Sequence, residues 1–345
     1  MNGTSGARAL RVGVMGAGSI GCYVGGRLAA AGQADVTLVG RDRVVEELGR
    51  HGLTISDRTD RRTVPARDLT LSTDVASLAD ADVVLVCVKS GQTADVGAAL
   101  DPVLRPDAVV LSLQNGVHNV DRLHAALGTR QVLGAVVDFN VVSRPAGAVH
   151  CGLPGPLTVA RSGTTTGAAV VAALAAAGLE VTTTADIAAV QWAKLLVNLN
   201  NAISALSDVP TVELMTREGY RRVVAGLLAE GVAVLRAAGI RPGRVRRVPA
   251  RLMLRVLRLP DPLARRLLAA RLPTDAQARS SMWEDLVRGR PTEVDDLNGE
   301  IVRLAERTGT PAPLNRRIVD LVHAAEAAGP GSPGMAPGAL WSALH

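Results

Sequence analysis

The sequence predicts an α/β fold in two parts: a doubly wound, mainly parallel sheet over residues 1–185, then an all-α region over 186–345. Three observations predict it. A strand–turn–helix–strand unit punctuated by glycines occupies residues 11–41. Two six-residue runs, Val83–Val88 and Ala108–Leu113, are apolar enough to be strands buried on both faces. After about Asp186 the alternation of strand and helix patterns stops, and every long segment has helical period.

The first unit is the most informative. Val12–Met15 leads into Gly16-Ala17-Gly18-Ser19-Ile20-Gly21, and a second apolar run ends at Gly40-Arg41. This is the dinucleotide-binding arrangement of a Rossmann-type domain. Gly16 permits the tight turn, Gly18 lets the backbone approach a pyrophosphate, and Gly21 lets the helix pack closely on its strand. The helix N-terminus then faces the anion. The competing reading is a glycine-rich structural turn. The residue closing the second strand selects the cofactor. An acidic residue there accepts from the ribose 2′-hydroxyl of NAD, but this chain has Arg41, with Arg43 just beyond. A guanidinium suits a 2′-phosphate, so the expected cofactor is NADP(H).

The rest of the first part follows in order. Val44–Leu48 reads as a helix ending near Gly52, Leu53–Leu71 as short strands or a hairpin, and Val75–Leu78 as a short helical piece. The Val83–Val88 strand ends at Lys89-Ser90 and precedes a helix over Thr93–Leu100. The Ala108–Leu113 strand ends at Gln114-Asn115-Gly116 and precedes a helix over Val120–Leu127. Strands at Gln131–Val137, around Val149, at Leu157–Ala160 and at Leu179–Thr183 complete the sheet, with a helix over Thr166–Ala177. Ligands of open parallel sheets bind beyond the carboxyl ends of the strands. Gly16, Arg41, Lys89 and Asn115 all fall at such ends.

In the second part, helices are expected over Val190–Leu206, Thr211–Ala238, Arg244–Leu272 (broken by prolines), Asp275–Arg288, Glu293–Arg307 and Leu314–Ala327. Lys194, Asn198 and Asn201 share one stripe of the first, at i, i+4 and i+7. A lysine and two amides beside Leu and Val are costly unless they face a polar cleft, and a lysine there can protonate a ketone oxygen as it becomes an alkoxide. The bland alternative is a solvated helix face. Further on, Gly289–Pro291 breaks a helix, and Thr292 reads as an N-cap with Glu293 in the first turn, favoured by the helix dipole. The active site is expected in a cleft between the two parts.

Composition narrows the partners. Aromatic residues are 2% of the 345, so the core must be aliphatic. The net charge is +6, and residues 241–271 carry ten arginines against one acid, Asp261. No aromatics interleave them, so they read as solvated helix faces rather than a nucleic-acid or membrane surface. Cys22, Cys87 and Cys151 lack metal-ligand spacing and read as free thiols in a reducing compartment. No metal is expected. The first apolar run is too short for a leader, and Gly167–Leu179 is too short to span a bilayer, so a cytoplasmic protein is expected. Disorder is expected only in the first eight or so residues and in Gly329–Gly338.

Beyond these readings, the sequence resembles the ketopantoate reductases (2-dehydropantoate 2-reductases) over nearly its whole length. The resemblance is carried by GxGxxG with arginine after the second strand, Lys89, Gln114-Asn115-Gly116, Trp192-x-Lys194-x-x-x-Asn198, Ser280-Ser281-Met282, Thr292-Glu293 and Asn298-Gly299. It implies NADPH-dependent reduction of a 2-keto acid, with 2-dehydropantoate giving (R)-pantoate for coenzyme A synthesis. It implies Lys194 as general acid, Asn198 and Ser281 as substrate ligands, and Glu293 beside the reacting hydroxyl and nicotinamide. Lys89 and Asn115 would border cofactor and substrate, and the backbone near Asn140 the nicotinamide. The helical part would carry substrate binding and dimerisation, so a homodimer is compatible with it. One departure stands out: many members carry an asparagine eight residues after the lysine, where this chain has Ala202, and Asn201 is the neighbouring candidate to replace it. Two other readings remain open, a paralogous reductase of another 2-keto acid and a non-catalytic NADP(H) sensor.

Overall fold

The computed structural model describes residues 9–245, 248–269 and 278–345. Contacts divide the chain into two compact units, meeting in sequence at Ile187 and Ala188.

The first unit contains β1 (Leu10–Met15), α1 (Ser19–Ala30), β2 (Ala34–Val39), α2 (Asp42–His51), β3 (Leu53–Ser56), β4 (Arg61–Val64) and β5 (Thr70–Ser72). It continues through β6 (Val83–Val86), α3 (Thr93–Leu100), β7 (Val109–Ser112), α4 (Asn119–Leu127) and β8 (Val132–Val137). Then come β9 (Asn140–Arg144), β10 (Ala148–Leu153), β11 (Leu157–Ala160), α5 (Thr165–Ala176) and β12 (Val181–Thr184). The main sheet has the order β12-β11-β8-β7-β6-β1-β2-β5. Its pairings are parallel except β8 with β11. The chain leaves β1 for β2 on one side and later returns to place β6 on the other. The carboxyl end of β1 is therefore a topological switch point, where open α/β sheets bind ligands.

Val84, Val86 and Val110 on one face pack with Val96, Leu100, Leu123 and Leu127 of α3 and α4. The opposite face packs against α1 and α5. A second sheet, β4-β3-β10-β9, covers α1 from outside. Two glycines let α1 sit between both layers: a Cβ on Gly21 would lie 2.8 Å from Val14 Cγ1, and one on Gly26 2.7 Å from Ile55 Cγ2. Arg27, 9% exposed, ties α1 to the β3–β4 turn through Asp57 and Asp60 and donates to Tyr23 Oη at 3.1 Å. Burial opposes ionisation of Asp57, but hydrogen bonds from Thr59 and the Asp60 N–H, with the Arg27 charge, hold its carboxyl below the usual range. The sequence reading missed β9 because its register with β10 is fixed by the turn at Ala146 and Gly147, both at positive φ, not by apolar alternation.

The second unit contains α6 (Ile187–Asn198), α7 (Asn201–Ser207), α8 (Thr211–Thr216), α9 (Glu218–Ala237) and the two-stranded β13 (Arg244–Val245) and β14 (Val248–Pro249). It ends with α10 (Ala250–Leu257), α11 (Asp261–Ala269), α12 (Ser281–Val287), α13 (Asn298–Thr308), α14 (Pro313–Ala327) and α15 (Pro337–Leu344). Several long helices expected from periodicity are interrupted. Val190–Leu206 breaks at Leu199–Asn200, and Thr211–Ala238 breaks at Arg217, whose backbone is extended. Within Arg244–Leu272 the described residues form two short paired strands and two helices; residues 246–247 and 270–272 lie outside the described residues, as do 275–277 of the next expected helix.

Gly329–Gly338 is not disordered as expected. Gly331 N–H donates to Leu286 O at 3.0 Å, Met335 N–H to Leu206 O at 2.8 Å, and Ser332 Oγ to Ala205 O at 2.6 Å. Glycine and proline give this segment an irregular path, yet its polar backbone groups find fixed partners on α7 and α12. The other segment expected to be disordered, the first eight residues, lies outside the described residues. The arginines of α10 and α11, at 251, 255, 265 and 266, are exposed. Among the described residues no helix is long and apolar enough to cross a membrane.

Candidate active site

One group of the expected site residues lies at the carboxyl edge of the main sheet in the first unit. Gly16 has φ +107°, a conformation open to glycine, and a Cβ there would lie 2.9 Å from the Val88 backbone nitrogen. Gly16 and Ala17 N–H both donate to Val39 O, at 3.0 and 2.9 Å, which locks the glycine loop to the end of β2. Gly18 is the N-cap of α1 and provides no side-chain cap, so the first-turn N–H groups are left for an anion. A Cβ on Gly18 would meet nothing within 4 Å, whereas one on Gly21 would lie 2.3 Å from Gly16 O. The two glycines thus differ: Gly18 borders open space and Gly21 borders backbone. Ser19 Oγ lies 2.7 Å from Ser143 Oγ of β9, and Ile20 is half-buried in the same first turn.

Arg41 N-caps α2 directly after β2 and is exposed, as is Arg43. Neither forms an ion pair among the described residues. Lys89 caps the single turn after β6, and Asn115 follows β7, so both stand at the carboxyl edge. The loops bearing them are joined by a buried polar network that sequence reasoning did not single out. Asn115 O accepts from Ser90 Oγ at 2.8 Å and from Asn119 Nδ2. Gln114 Nε2 donates to Thr93 Oγ1 at 2.7 Å, and Thr93 Oγ1 lies 2.8 Å from Asn119 Oδ1. The only sequence sign of this network was the cluster of short polar residues at two strand ends. Asn140 opens β9, paired with Leu153.

A second group of the expected site residues lies in the helical unit. Lys194, half-buried, and Asn198, 7% exposed, share one face of α6. Asn201 does not continue their stripe: α6 stops at Asn198, and Asn201 begins α7. The break gives backbone carbonyls other partners. Leu199 O accepts from Asn298 Nδ2 at 3.4 Å, and Asn201 O accepts from Ser280 Oγ at 3.0 Å. Ser280 also caps α12, accepting from Trp283 N–H at 3.1 Å. Ser281 is the exposed first residue of that helix. Asp208, in the left-handed region at φ +56°, accepts from Trp283 Nε1 at 2.8 Å and fixes α12 from its other side. Asp208 was not selected from sequence, and Ser280 was named only within the Ser280-Ser281-Met282 motif.

Glu293 is not in the first turn of a helix. Thr292 Oγ1 accepts from Val294 N–H at 3.2 Å in a local turn, and α13 begins only at Asn298. Buried Val294 and Leu297, each 1% exposed, and Asn298, 0% exposed, pull the chain into an irregular bend before the helix starts. Glu293 sits half-buried in that bend, and the helix-dipole argument does not apply to it. The bend is nonetheless anchored beside the end of α6, through Asn298 to Leu199 O.

All three cysteines are free. Burial, with Glu47 adding to it, pushes the Cys22 thiol up to about 12, and burial likewise raises Cys87 and Cys151. These thiols are inert packing groups. Among the described residues no cluster of three or more His, Cys, Asp or Glu side chains could hold a metal ion.

Comparison with known proteins identifies the family. The family model described as ketopantoate reductase PanE/ApbA matches residues 12–163, and the model of its C-terminal part matches residues 186–326. The 2-dehydropantoate 2-reductase of Halobacterium salinarum is 34% identical over 329 residues, covering 92% of this chain and 99% of that protein. The enzyme of the same name from Pyrococcus horikoshii is 30% identical, covering 94% and 100%. The crystal structure of a PanE/ApbA family ketopantoate reductase from Ralstonia eutropha superposes with a TM-score of 0.79 at 35% identity, over 92% of this chain and 99% of that one. D-mandelate dehydrogenase, solved with NADH, shares the fold at 22% identity and a TM-score of 0.77. The chain belongs to the ketopantoate reductase family, pyridine-nucleotide-dependent oxidoreductases acting on CH–OH groups.

Proposed function

We propose that the protein reduces 2-dehydropantoate to (R)-pantoate with NADPH, the first unit holding the nucleotide and the helical unit bringing the groups that act on the keto acid. The observation that carries this reading is the face of α6 on which Lys194 and Asn198 stand together in a largely apolar helix. The nucleotide half fits the cofactor: uncapped N–H groups open α1, open space lies over Gly18, and Arg41 has no acidic partner among the described residues. Arg41 recognises the 2′-phosphate, and Lys89 and Asn115 border cofactor and substrate.

When bound, NADPH supplies the hydride that reaches the ketone carbon. Lys194 donates its proton to the ketone oxygen as negative charge develops there, and takes a proton back from solvent after product leaves. Asn198 and Ser281 hold the substrate, Glu293 accepts from the nascent hydroxyl, and the backbone at Asn140 borders the nicotinamide. A non-catalytic sensor would have no use for both Lys194 and Glu293.

The test is NADPH oxidation, followed by absorbance, against 2-dehydropantoate and a panel of other branched 2-keto acids, with NADH in parallel. The expected result is a preference for NADPH and for 2-dehydropantoate. A higher kcat/KM for another keto acid would make the protein a paralogous reductase, and absence of turnover with the whole panel would remove the catalytic reading.

A further inference from the structure

Asn298, 0% exposed, keeps one buried atom without a hydrogen-bond partner among the described residues, its side-chain oxygen Oδ1. Its Nδ2 is fully used, donating to Leu199 O at 3.4 Å and to Asn315 Oδ1 at 3.1 Å. Asn315, also 0% exposed, donates in turn from Nδ2 to Leu227 O at 3.2 Å and to Glu230 Oε2 at 2.8 Å. One relay of amides thus runs from α9 through α14 and the first residue of α13 to the end of α6. Its direction is set from α9. A backbone carbonyl and a carboxylate only accept, so Asn315 must turn its NH2 toward them and its oxygen toward Asn298. Asn298 must then turn its NH2 toward Asn315, which aims its second N–H at Leu199 O and leaves its own oxygen unpaired. A buried acceptor without a partner is destabilising, and native structures keep few of them. What this polarity secures is a fixed donor on Leu199 O.

We infer that Asn298 is a positioning residue for hydride transfer, holding the end of α6 against the bend that carries Glu293. Leu199 directly follows Asn198, and Glu293 lies five residues before Asn298. Under the proposed function, on which this inference rests, Asn198 and Glu293 both face the keto acid, so their spacing sets the pose of the ketone. Asn298 touches neither substrate nor cofactor in that reading and acts through Leu199 and the bend. A misplacement of about 1 Å at reacting groups is enough to cost about 100-fold in rate. The unpaired oxygen is therefore retained for the sake of geometry, not of stability.

The experiment separates position from stability with Asn298→Leu, Asn315→Leu and the double variant, and with Val322→Ala of α14 as control. Each single variant leaves a buried partner unpaired and should lower the thermal midpoint, whereas two apolar groups of similar shape facing each other should recover much of it. Turnover should not follow the midpoint. At a temperature where every variant is folded, kcat with 2-dehydropantoate should fall about 10- to 100-fold in Asn298→Leu and in the double variant alike, because neither offers an N–H to Leu199 O. The Kd for NADPH should stay within about threefold of wild type, since the expected nucleotide ligands lie in the first unit. Val322, 0% exposed and outside the relay, should lose stability on truncation and keep its kcat. A kcat near that of wild type in Asn298→Leu, a double variant whose kcat recovers with its midpoint, or an equal loss of kcat in Val322→Ala would overturn the inference. Should the variants at Asn298 not fold, Asn315→Leu decides, since it removes the acceptor that fixes the Asn298 amide, and an unchanged kcat there also overturns it. Those results come from an enzyme whose wild type is active on 2-dehydropantoate, so the proposed function would survive them. A wild type inactive on 2-dehydropantoate sinks the proposed function, and this inference with it.

Discussion

Gly18 and Gly21 lie three residues apart in one motif, and the structure assigns them opposite vulnerabilities. In Gly18→Ala the new Cβ meets nothing within 4 Å, and the backbone at φ −88° and ψ −169° accepts any residue. Alanine caps a helix less well than glycine by a few tenths to about 1 kcal/mol. Lower entropy of the unfolded chain returns about 0.4–1 kcal/mol. The net change in stability should lie within about 0.5 kcal/mol. Nucleotide binding should fall, because the methyl group occupies the space a pyrophosphate needs. Loss of one hydrogen bond to a charged group costs about 1.5–3 kcal/mol, about 10- to 150-fold in Kd.

In Gly21→Ala the Cβ would lie 2.3 Å from Gly16 O and 2.8 Å from Val14 Cγ1. The glycine loop or β1 must move. Overpacking of this kind costs about 3 kcal/mol, and better helix propensity returns about 1 kcal/mol. The net loss of about 2 kcal/mol should lower the thermal midpoint by about 4–8 °C. Urea unfolding of the free protein and fluorescence titration with NADPH measure the two effects separately. If Gly18→Ala binds NADPH as wild type does, or Gly21→Ala unfolds no more easily, the assignment of the two glycines is wrong.

Arg41→Ala should weaken NADPH binding by about 1.5–3 kcal/mol and leave NADH binding almost unchanged, measured by titration with each nucleotide. Equal losses would make Arg41 a structural residue. Lys194→Ala should lower turnover by about 10²–10⁴ while NADPH affinity survives, and near-normal turnover in a folded variant would remove Lys194 from the mechanism. Stability should fall in alkali. Cys22 binds its proton more tightly when folded, so its contribution is complete below its ordinary value of 9.0 and is lost as pH rises toward about 12. Across that window the loss is about 1.4 kcal/mol per pH unit. Cys22→Ala should flatten the urea midpoint between pH 9 and 11, and an unchanged slope would contradict the burial argument.

The parallel sheet was legible because its strands are apolar runs ended by glycine or polar residues, and such runs have few alternatives. Val83–Val86 and Val109–Ser112 lie inside the runs read from sequence. Placement of Gly16, Arg41, Lys89 and Asn115 at strand ends was legible for the same reason. The interruptions of the helical unit were not. Apolar periodicity runs unbroken through Leu199 and Asn200, and what ends α6 there is tertiary: distant side chains compete for its carbonyls. Glu293 shows the same limit. Thr292 has the composition of an N-cap, but burial of Val294, Leu297 and Asn298 delays the helix to Asn298. Local propensity states what a segment can do, and packing decides where it stops.

The break between α6 and α7 explains how residues far apart in sequence come to surround one helix end. In an unbroken helix the carbonyl of residue 199 would be used four residues on. Here it is free to accept from Asn298, and the side chain that claims it belongs to the segment that also carries Glu293. Two residues later Asn201 O receives Ser280, whose own oxygen caps the helix that begins with Ser281. One irregularity of two residues thus orients both the Glu293 bend and the Ser281 turn relative to Asn198. It also decides how Asn201 must be read. Counting seven residues on from Lys194 puts Asn201 on the lysine stripe only if the helix is continuous. As the first residue of α7 its direction is set by the new helix, and Ala202 beside it is fully buried. On α6 itself Asn198 shares the lysine face, while the direction of Asn201 is set by α7.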